Sequence, residues 1–146
     1  MAAALAAATT VAAATGVRWV VLATGTTTPS GGQAPVGYVA VTRVQERRFA
    51  GRLDAGDRAV LPRVNLQRTG LVAVFLDGFP CGSKLTVNHV TRTATTVTVQ
   101  LHFTRPPIGV ATCVRTSTPY VLIGVSRTTF GHPAPTHVRV DAIARS

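Results

Sequence analysis

Acidic residues are scarce in this 146-residue sequence, and lysine is almost absent. Five Asp and Glu stand against 15 Lys and Arg, giving a formal net charge of +10 at pH 7, and Lys84 is the one lysine. So few carboxylates leave little material for paired acid-base catalysis. Nucleic-acid binders usually combine Lys and Arg with interleaved aromatics, and aromatics make up 5% of this chain. We therefore expect no enzyme, and we place nucleic acid below other polyanions as a partner.

Motifs for nucleotides, metals and nucleophilic catalysis are missing as well. The sequence contains neither G-x-G-x-x-G nor a Walker loop. Ser126 lies in GVSRT, which lacks the second glycine of a nucleophile elbow. The histidines are scattered, and two prolines with no third ligand nearby separate the last pair; they are His89, His102, His132 and His137. We expect no catalytic residue, no metal and no cofactor.

The N-terminal apolar run is too short to cross a membrane as a helix. Residues 1–16, MAAALAAATTVAAATG, carry no charged side chain, whereas a spanning helix needs about 20 apolar residues. Their length and the small residues Ala12–Ala14 are typical of a signal peptide, although no Lys or Arg precedes them. We predict a signal peptide or disordered segment over 1–16, one domain over 17–146, and a secreted or cell-envelope location.

Thr and Val dominate the rest of the chain in patterns typical of β-strands. In TVTVQLHF, residues 96–103, apolar and polar positions alternate, which predicts one face on a core and one in water. LVAVFL, residues 71–76, is apolar throughout and predicts a strand covered on both faces. Further strands are predicted at 18–24, 37–43, 84–90, 113–116, 120–125 and 137–143.

One stretch, VQERRFAGRLDAG over residues 44–56, has helical spacing instead. It predicts one short α-helix near residues 44–55 and Pro62 as the end of the region. The residues on its common face are Val44, Arg48, Phe49 and Leu53. The expected fold is therefore mainly β, as an antiparallel sheet, a sandwich or a partly open barrel. An α+β fold is the alternative.

The two cysteines, Cys81 and Cys113, predict a disulfide. An even number of cysteines in an exported chain favours pairing, and closing a loop of about 30 residues would stabilise by roughly 3–4 kcal/mol in the chain-entropy model. A nucleophilic cysteine would need His89 or His102 as its base, and nothing in the sequence forces that contact. Two buried free thiols are the other alternative.

Four short motifs occur in an order that resembles a known family. They are LPRVNL (61–66) followed by LVAVFL, the turn Pro80-Cys81-Gly82, an alternating strand ending in Arg105-Pro106-Pro107, and STPYVL (117–122). With VLATGTTTPSG near the N-terminus, they resemble the domain family named after PrcB, a subunit of a bacterial surface protease complex. The resemblance covers roughly residues 18–128. It implies a secreted or envelope-associated accessory domain without catalysis, with an extracellular protease or envelope component as partner.

Arginines cluster around the predicted helix, at Arg43, Arg47, Arg48 and Arg52. With Arg58, Arg63 and Arg68 they place seven positive charges in 26 residues, against three acids. Such a surface can bind polyanions such as wall polymers, anionic lipid headgroups or nucleic acid. A solvated basic face without a ligand is the alternative. The predicted function is thus a non-catalytic accessory or binding module, with a basic polyanion-binding protein as the second interpretation and a protease-inhibiting turn at 78–84 as a third.

Overall fold

The computed structural model describes residues 14–27, 35–77, 84–104 and 118–145. Within these ranges the chain forms eight strands and four short helical segments. The strands are β1 (Thr15–Gly16), β2 (Trp19–Thr27), β3 (Val36–Ala40), β4 (Thr69–Phe75), β5 (Lys84–Arg92), β6 (Thr96–Thr104), β7 (Thr118–Ser126) and β8 (His137–Arg145). The helical segments are α1 (Arg43–Ala50), α2 (Ala55–Arg58), a 3-10 turn (Leu61–Arg63) and α3 (Arg127–Phe130). The prediction of a mainly β fold with a short helix is confirmed.

The described strands form a sandwich of two four-stranded sheets. The central sheet has the order β2-β7-β4-β3, and the outer sheet has the order β1-β5-β6-β8. Neighbouring strands are antiparallel except β6 and β8, which are parallel. The strand after β6 in the sequence, β7, belongs to the central sheet. The next strand, β8, belongs to the outer sheet again and runs parallel to β6. No described strand of one sheet pairs with the other, so the barrel is not closed.

The central sheet is buried on both faces, which gives the molecule three layers. Its inner face packs on the outer sheet through an aliphatic core that includes Val72, Val74, Ile123, Val99 and Leu101. Its other face is covered by α1 and the segment after it, through a second core that includes Phe49, Leu53, Leu61, Phe75 and Tyr120. The predicted coverage of LVAVFL on both faces is confirmed, because residues 71–76 are all fully buried.

The helical region differs from the single predicted helix. Thr42 begins α1, its Oγ1 accepting the Gln45 amide at 3.2 Å, and the helix ends at Ala50. Asp54 then begins α2 by accepting the Asp57 amide at 2.8 Å. The prediction that Val44 shares the buried face is wrong, because Val44 is 68% exposed while Phe49 is fully buried. The Asp54 side chain caps the start of a new helical turn, so α2 is separate from α1.

Pro62 lies inside the short 3-10 turn and does not end the region. The first described strand, β1, begins at Thr15, two residues before the predicted domain boundary at 17, and pairs with Thr91 and Arg92 of β5. Residues 1–13 and the predicted strand 113–116 lie outside the described residues. No helix in the described ranges is long and apolar enough to span a membrane.

Two glycines make close approaches that a side chain would obstruct. A Cβ on Gly37 of β3 would lie 2.4 Å from Cγ1 of Val138, where the edges of the two sheets meet. Gly131 has φ of 89°, in the left-handed region that favours glycine, and a Cβ there would lie 2.4 Å from Nη1 of Arg92. The same guanidinium group donates to the carbonyl of Phe130 at 2.7 Å. The segment from α3 to β8 therefore turns tightly over Arg92.

Candidate functional site

The chain's five carboxylates all lie in the described residues, and each makes a contact inside the protein. Glu46 is 9% exposed and Asp77 is 2% exposed, so two of the five are buried. Glu46 accepts a hydrogen bond from Arg43 Nη1 at 2.6 Å, and Asp141 accepts one from Arg139 Nε at 3.2 Å. Asp77 accepts from Thr118 Oγ1 at 2.7 Å and from Arg52 Nη2 at 3.2 Å. Asp54 accepts from the Asp57 amide at 2.8 Å, and Asp57 accepts from the Tyr120 hydroxyl. Three of the five acids, Glu46, Asp77 and Asp141, thus pair with arginines inside the protein, and Asp54 and Asp57 accept hydrogen bonds from uncharged groups.

Three of these acids lie at one end of the central sheet, which we call the acidic end: Asp54, Asp57 and Asp77. It is the end where β4 finishes and β7 begins. The Tyr120 hydroxyl joins two of the acids, because it donates to Asp57 and accepts from the Asp54 amide at 3.2 Å. Burial, together with the hydrogen bond to Asp57, raises the pKa of Tyr120 well above its usual value. Tyr120 therefore stays neutral and holds α2 onto the sheet.

Two of the four arginines predicted to bind a polyanion are held by contacts within the protein. Arg52 lies at the acidic end, 3.2 Å from Asp77 Oδ1, with its guanidinium carbon 4.1 Å from the centroid of the Phe75 ring. Arg43 donates to Glu46 and also to the carbonyls of Leu61 and Val64, at 2.8 and 2.6 Å. Arg43 thereby connects α1 to residues 61–64, and Arg52, just after α1, connects its segment to the residue that follows β4. The other two, Arg47 and Arg48, are exposed on α1.

Arginines from separate parts of the chain meet at the opposite end of the central sheet. Arg18 precedes β2, Arg127 follows β7 and Arg68 precedes β4, and these three strands are neighbours. The Ser126 amide donates to the Arg18 carbonyl at 2.8 Å, and the Arg127 amide donates to the Arg68 carbonyl at 2.9 Å. Adjacent strands lie about 4.8 Å apart, so the backbones of these three residues lie close together, with Arg68 opposite Arg127 and Arg18 opposite Ser126.

Arg63 joins this group through the segment that leads into β4. Arg127 Nη1 donates to the carbonyl of Leu66 at 3.1 Å, and the Arg68 amide donates to the carbonyl of Asn65. The segment 61–66 is thereby fixed beside the three arginines. An open cavity of about 610 Å³ lies between this segment and the start of α1, and Arg63 lines it. We call Arg18, Arg63, Arg68 and Arg127 the basic end.

Several of these cations have no counterion within the described part of the chain. Five arginine side chains that make no hydrogen bond or ion pair among the described residues are exposed: Arg18, Arg47, Arg48, Arg63 and Arg68. The acids of the acidic end are too distant to neutralise Arg68. Arg68 and Asp77 are nine residues apart along β4, about 30 Å in an extended strand, whereas the Debye length is about 8 Å at physiological ionic strength. The basic end therefore presents uncompensated positive charge to solvent.

The chain matches no protein-family model, no curated protein and no solved structure.

The likeness to the PrcB family therefore stays a prediction, and the arrangement of side chains carries the functional argument. Among the described residues no group of three His, Cys, Asp or Glu side chains could hold a metal ion. Cys81 and Cys113 lie outside the described residues. His89, His102 and His137 belong to strands of the outer sheet, and His132 follows α3.

Sequence reasoning missed Arg18 and Arg127 as members of the site. Each is isolated in the sequence from the arginine-rich stretch 43–68. Their proximity to Arg68 depends on the pairing of β7 with both β2 and β4. A local charge count gives no signal for that pairing.

Proposed function

We propose that this protein is a non-catalytic binding module whose ligand is a polyanion, held across the basic end. The observation that carries the proposal is the separation of charge along the central sheet. Exposed, unpaired arginines gather at one end, and the carboxylates lie at the other end or in internal pairs. Arginine suits this task because its planar guanidinium group binds phosphate, sulfate and carboxylate through two hydrogen bonds.

Recognition of a polymer backbone fits better than stacking on nucleic-acid bases. Base stacking requires exposed aromatic rings beside the basic groove. Trp19 and Phe130, which lie near Arg18 and Arg127 in the chain, pack on the core between the sheets. The basic end is therefore suited to repeating anionic groups, such as the phosphodiesters of an envelope polymer. Nucleic acid would be bound through its phosphates alone.

An extracellular or envelope location, and an accessory role beside a protease, are further parts of this proposal. Their support is the signal-like run over residues 1–16 and the order of PrcB-like motifs. N-terminal sequencing of material secreted by the native host tests the location, and a mature chain beginning near Thr15 is expected. A pull-down from culture supernatant separates the two partner classes, because a bound protease is recovered as protein and a polymer is not.

Retention on heparin in a rising salt gradient tests polyanion binding directly. Arg63→Ser/Arg68→Ser removes two exposed arginines of the basic end that make no side-chain contact within the described part of the fold. The matched control, Lys84→Ser/Arg139→Ser, removes two positive charges from the outer sheet. We expect the first variant to elute at clearly lower salt than the wild type, and the control to elute near it. Equal elution of the two variants would show that net charge alone causes retention.

A further inference from the structure

A groove of about 470 Å³ runs between α1 and the chain that follows α3. Its walls include Val39, Val41, Gln45, Arg48, Arg127 and His132. Small-molecule sites commonly have volumes of about 300–1,000 Å³, so the groove is large enough for a ligand of modest size. Arg127 belongs to both the groove and the basic end, which makes the two continuous.

The polar side chains along the groove are hydrogen-bond donors. Arg48 and Arg127 approach from opposite walls, and His132 lies on the same side as Arg127. No Asp or Glu is among the groove-lining residues of the described chain. The groove therefore offers no carboxylate to bind a cation, whereas two guanidinium groups are available to bind an oxyanion.

Two of the donors are held in place by the fold. Gln45 Oε1 accepts the Val41 amide at 2.8 Å, which leaves the side-chain NH₂ to donate to a ligand. Arg127 is half-buried, and its Nη1 is bound to the carbonyl of Leu66 at 3.1 Å. Anchored donors lose less conformational entropy when a ligand binds than free side chains do. Arg48 is exposed and adds a charge that can move onto the ligand.

The rest of the groove is apolar. Val39, Val41 and Ala134 pack against the core between the sheets, and Pro133 and Pro135 continue the same wall. Inorganic phosphate would leave this surface uncovered. An anion attached to a short carbon chain would cover it, gaining about 25 cal/mol for each Å² of apolar surface removed from water.

We infer that the groove is a subsite for a phosphate ester, with the phosphate between Arg48 and Arg127 and the carbon chain on the valines. This inference rests on the proposed function, because the groove would take one unit of the polymer whose remaining charges lie on the basic end. A small soluble phosphate ester presents the same chemistry, so the experiment has an arm for each source.

Titration with n-hexyl phosphate, followed by ¹H–¹⁵N NMR, tests the subsite. Arg48→Gln removes a groove cation that makes no hydrogen bond or ion pair among the described residues, so we expect the variant to fold. Arg47→Gln is the matched control, one residue earlier on α1 and outside the groove. We expect saturable binding with shifts at the amides of Gln45, His132, Ala134 and Thr136, a Kd raised at least tenfold in Arg48→Gln, and less than a twofold change in Arg47→Gln. Inorganic phosphate should bind at least tenfold more weakly than the ester.

Equal effects of the two substitutions, equal affinity for inorganic phosphate, or no saturable binding would each overturn the subsite. Retention of the same variants on a polyphosphate column separates this failure from failure of the proposed function. If hexyl phosphate does not bind while polyphosphate retention persists, the subsite is wrong and the polyanion surface stands. If hexyl phosphate binds and the polyphosphate column does not retain the wild-type protein, the groove binds a free phosphate ester and the polymer proposal is wrong.

Discussion

The amide of Arg127 donates a hydrogen bond to the carbonyl of Arg68 at 2.9 Å, which fixes two arginines from distant parts of the sequence beside each other. Arg18 lies on the other side of β7, opposite Ser126, the residue that precedes Arg127. The basic end is therefore a product of strand pairing and is absent from the unfolded chain. Binding that persists after unfolding would come from the arginine-rich stretch 43–68 alone.

Tyr120 links folding stability to alkaline pH. Its folded pKa lies above that of an unfolded tyrosine, about 10, so the folded state retains the proton where the unfolded state releases it. Its contribution to stability is thus complete below pH 10 and is lost as pH rises beyond it. Tyr120→Phe should cost about 1–3 kcal/mol at neutral pH, because Asp57 and the Asp54 amide lose their partner. The variant should also show a shallower decline in stability above pH 10.

Urea denaturation across pH 7–11 measures both effects. Tyr38→Phe is the control, since Tyr38 makes ring contacts with Phe49 and Phe75 and no hydrogen bond through its hydroxyl within the described residues. An identical alkaline slope in the wild type and Tyr120→Phe would refute the role assigned to Tyr120.

A disulfide between Cys81 and Cys113 remains a prediction, because both cysteines lie outside the described residues. The cysteines belong to the connections 78–83 and 105–117, which begin and end at neighbouring positions. Thr118 Oγ1 donates to Asp77 at 2.7 Å, and Lys84 pairs with Thr104. We expect one Cys81–Cys113 peptide in a non-reducing digest, and a loss of up to about 4 kcal/mol in Cys81→Ser/Cys113→Ser. Two thiols that react freely in denaturant without reductant would disprove the bridge.

The layer formed by α1 should contribute strongly to stability through Phe49. This ring is fully buried, and its centroid lies 5.9 Å from that of Tyr38. Phe49→Ala should reduce the free energy of unfolding by about 3–5 kcal/mol through lost burial and the cavity left behind. Val44→Ala, on the exposed side of the same helix, should change it by less than about 0.5 kcal/mol. Similar losses in the two variants would contradict the three-layer arrangement.

Strand positions could be predicted from sequence wherever one physical pattern dominated. Alternation in residues 96–103 indicated the buried valines of β6, and the continuous apolar run 71–76 indicated a doubly covered strand. Each pattern shows which side chains of a strand face a hydrophobic core, and this can be inferred from the neighbouring residues in the sequence alone. The split of the helical region was not predicted, although Asp54 is a residue type that commonly caps the start of a new helical turn.

Sheet order and the basic end could not be predicted in the same way. The parallel pairing of β6 with β8 and the position of β7 between β2 and β4 depend on contacts between distant segments. The hydrogen bonds that Arg43 and Arg52 make within the protein likewise depend on where Leu61, Val64 and Asp77 lie after folding. Charge density along the sequence correctly marked a basic protein, and the fold decides which charges remain free.

The salt dependence of polyphosphate binding tests the central claim most directly. The slope of log Kobs against log salt concentration reports the number of phosphates neutralised, about 0.7 per contact for a single-stranded polyanion. If the basic end is the binding surface, Arg18→Ser/Arg63→Ser/Arg68→Ser should reduce the magnitude of this slope by about 2, and Lys84→Ser/Arg139→Ser should leave it nearly unchanged. An unchanged slope in the triple variant, or an equal reduction per charge in the control, would contradict a polyanion site at this end of the central sheet.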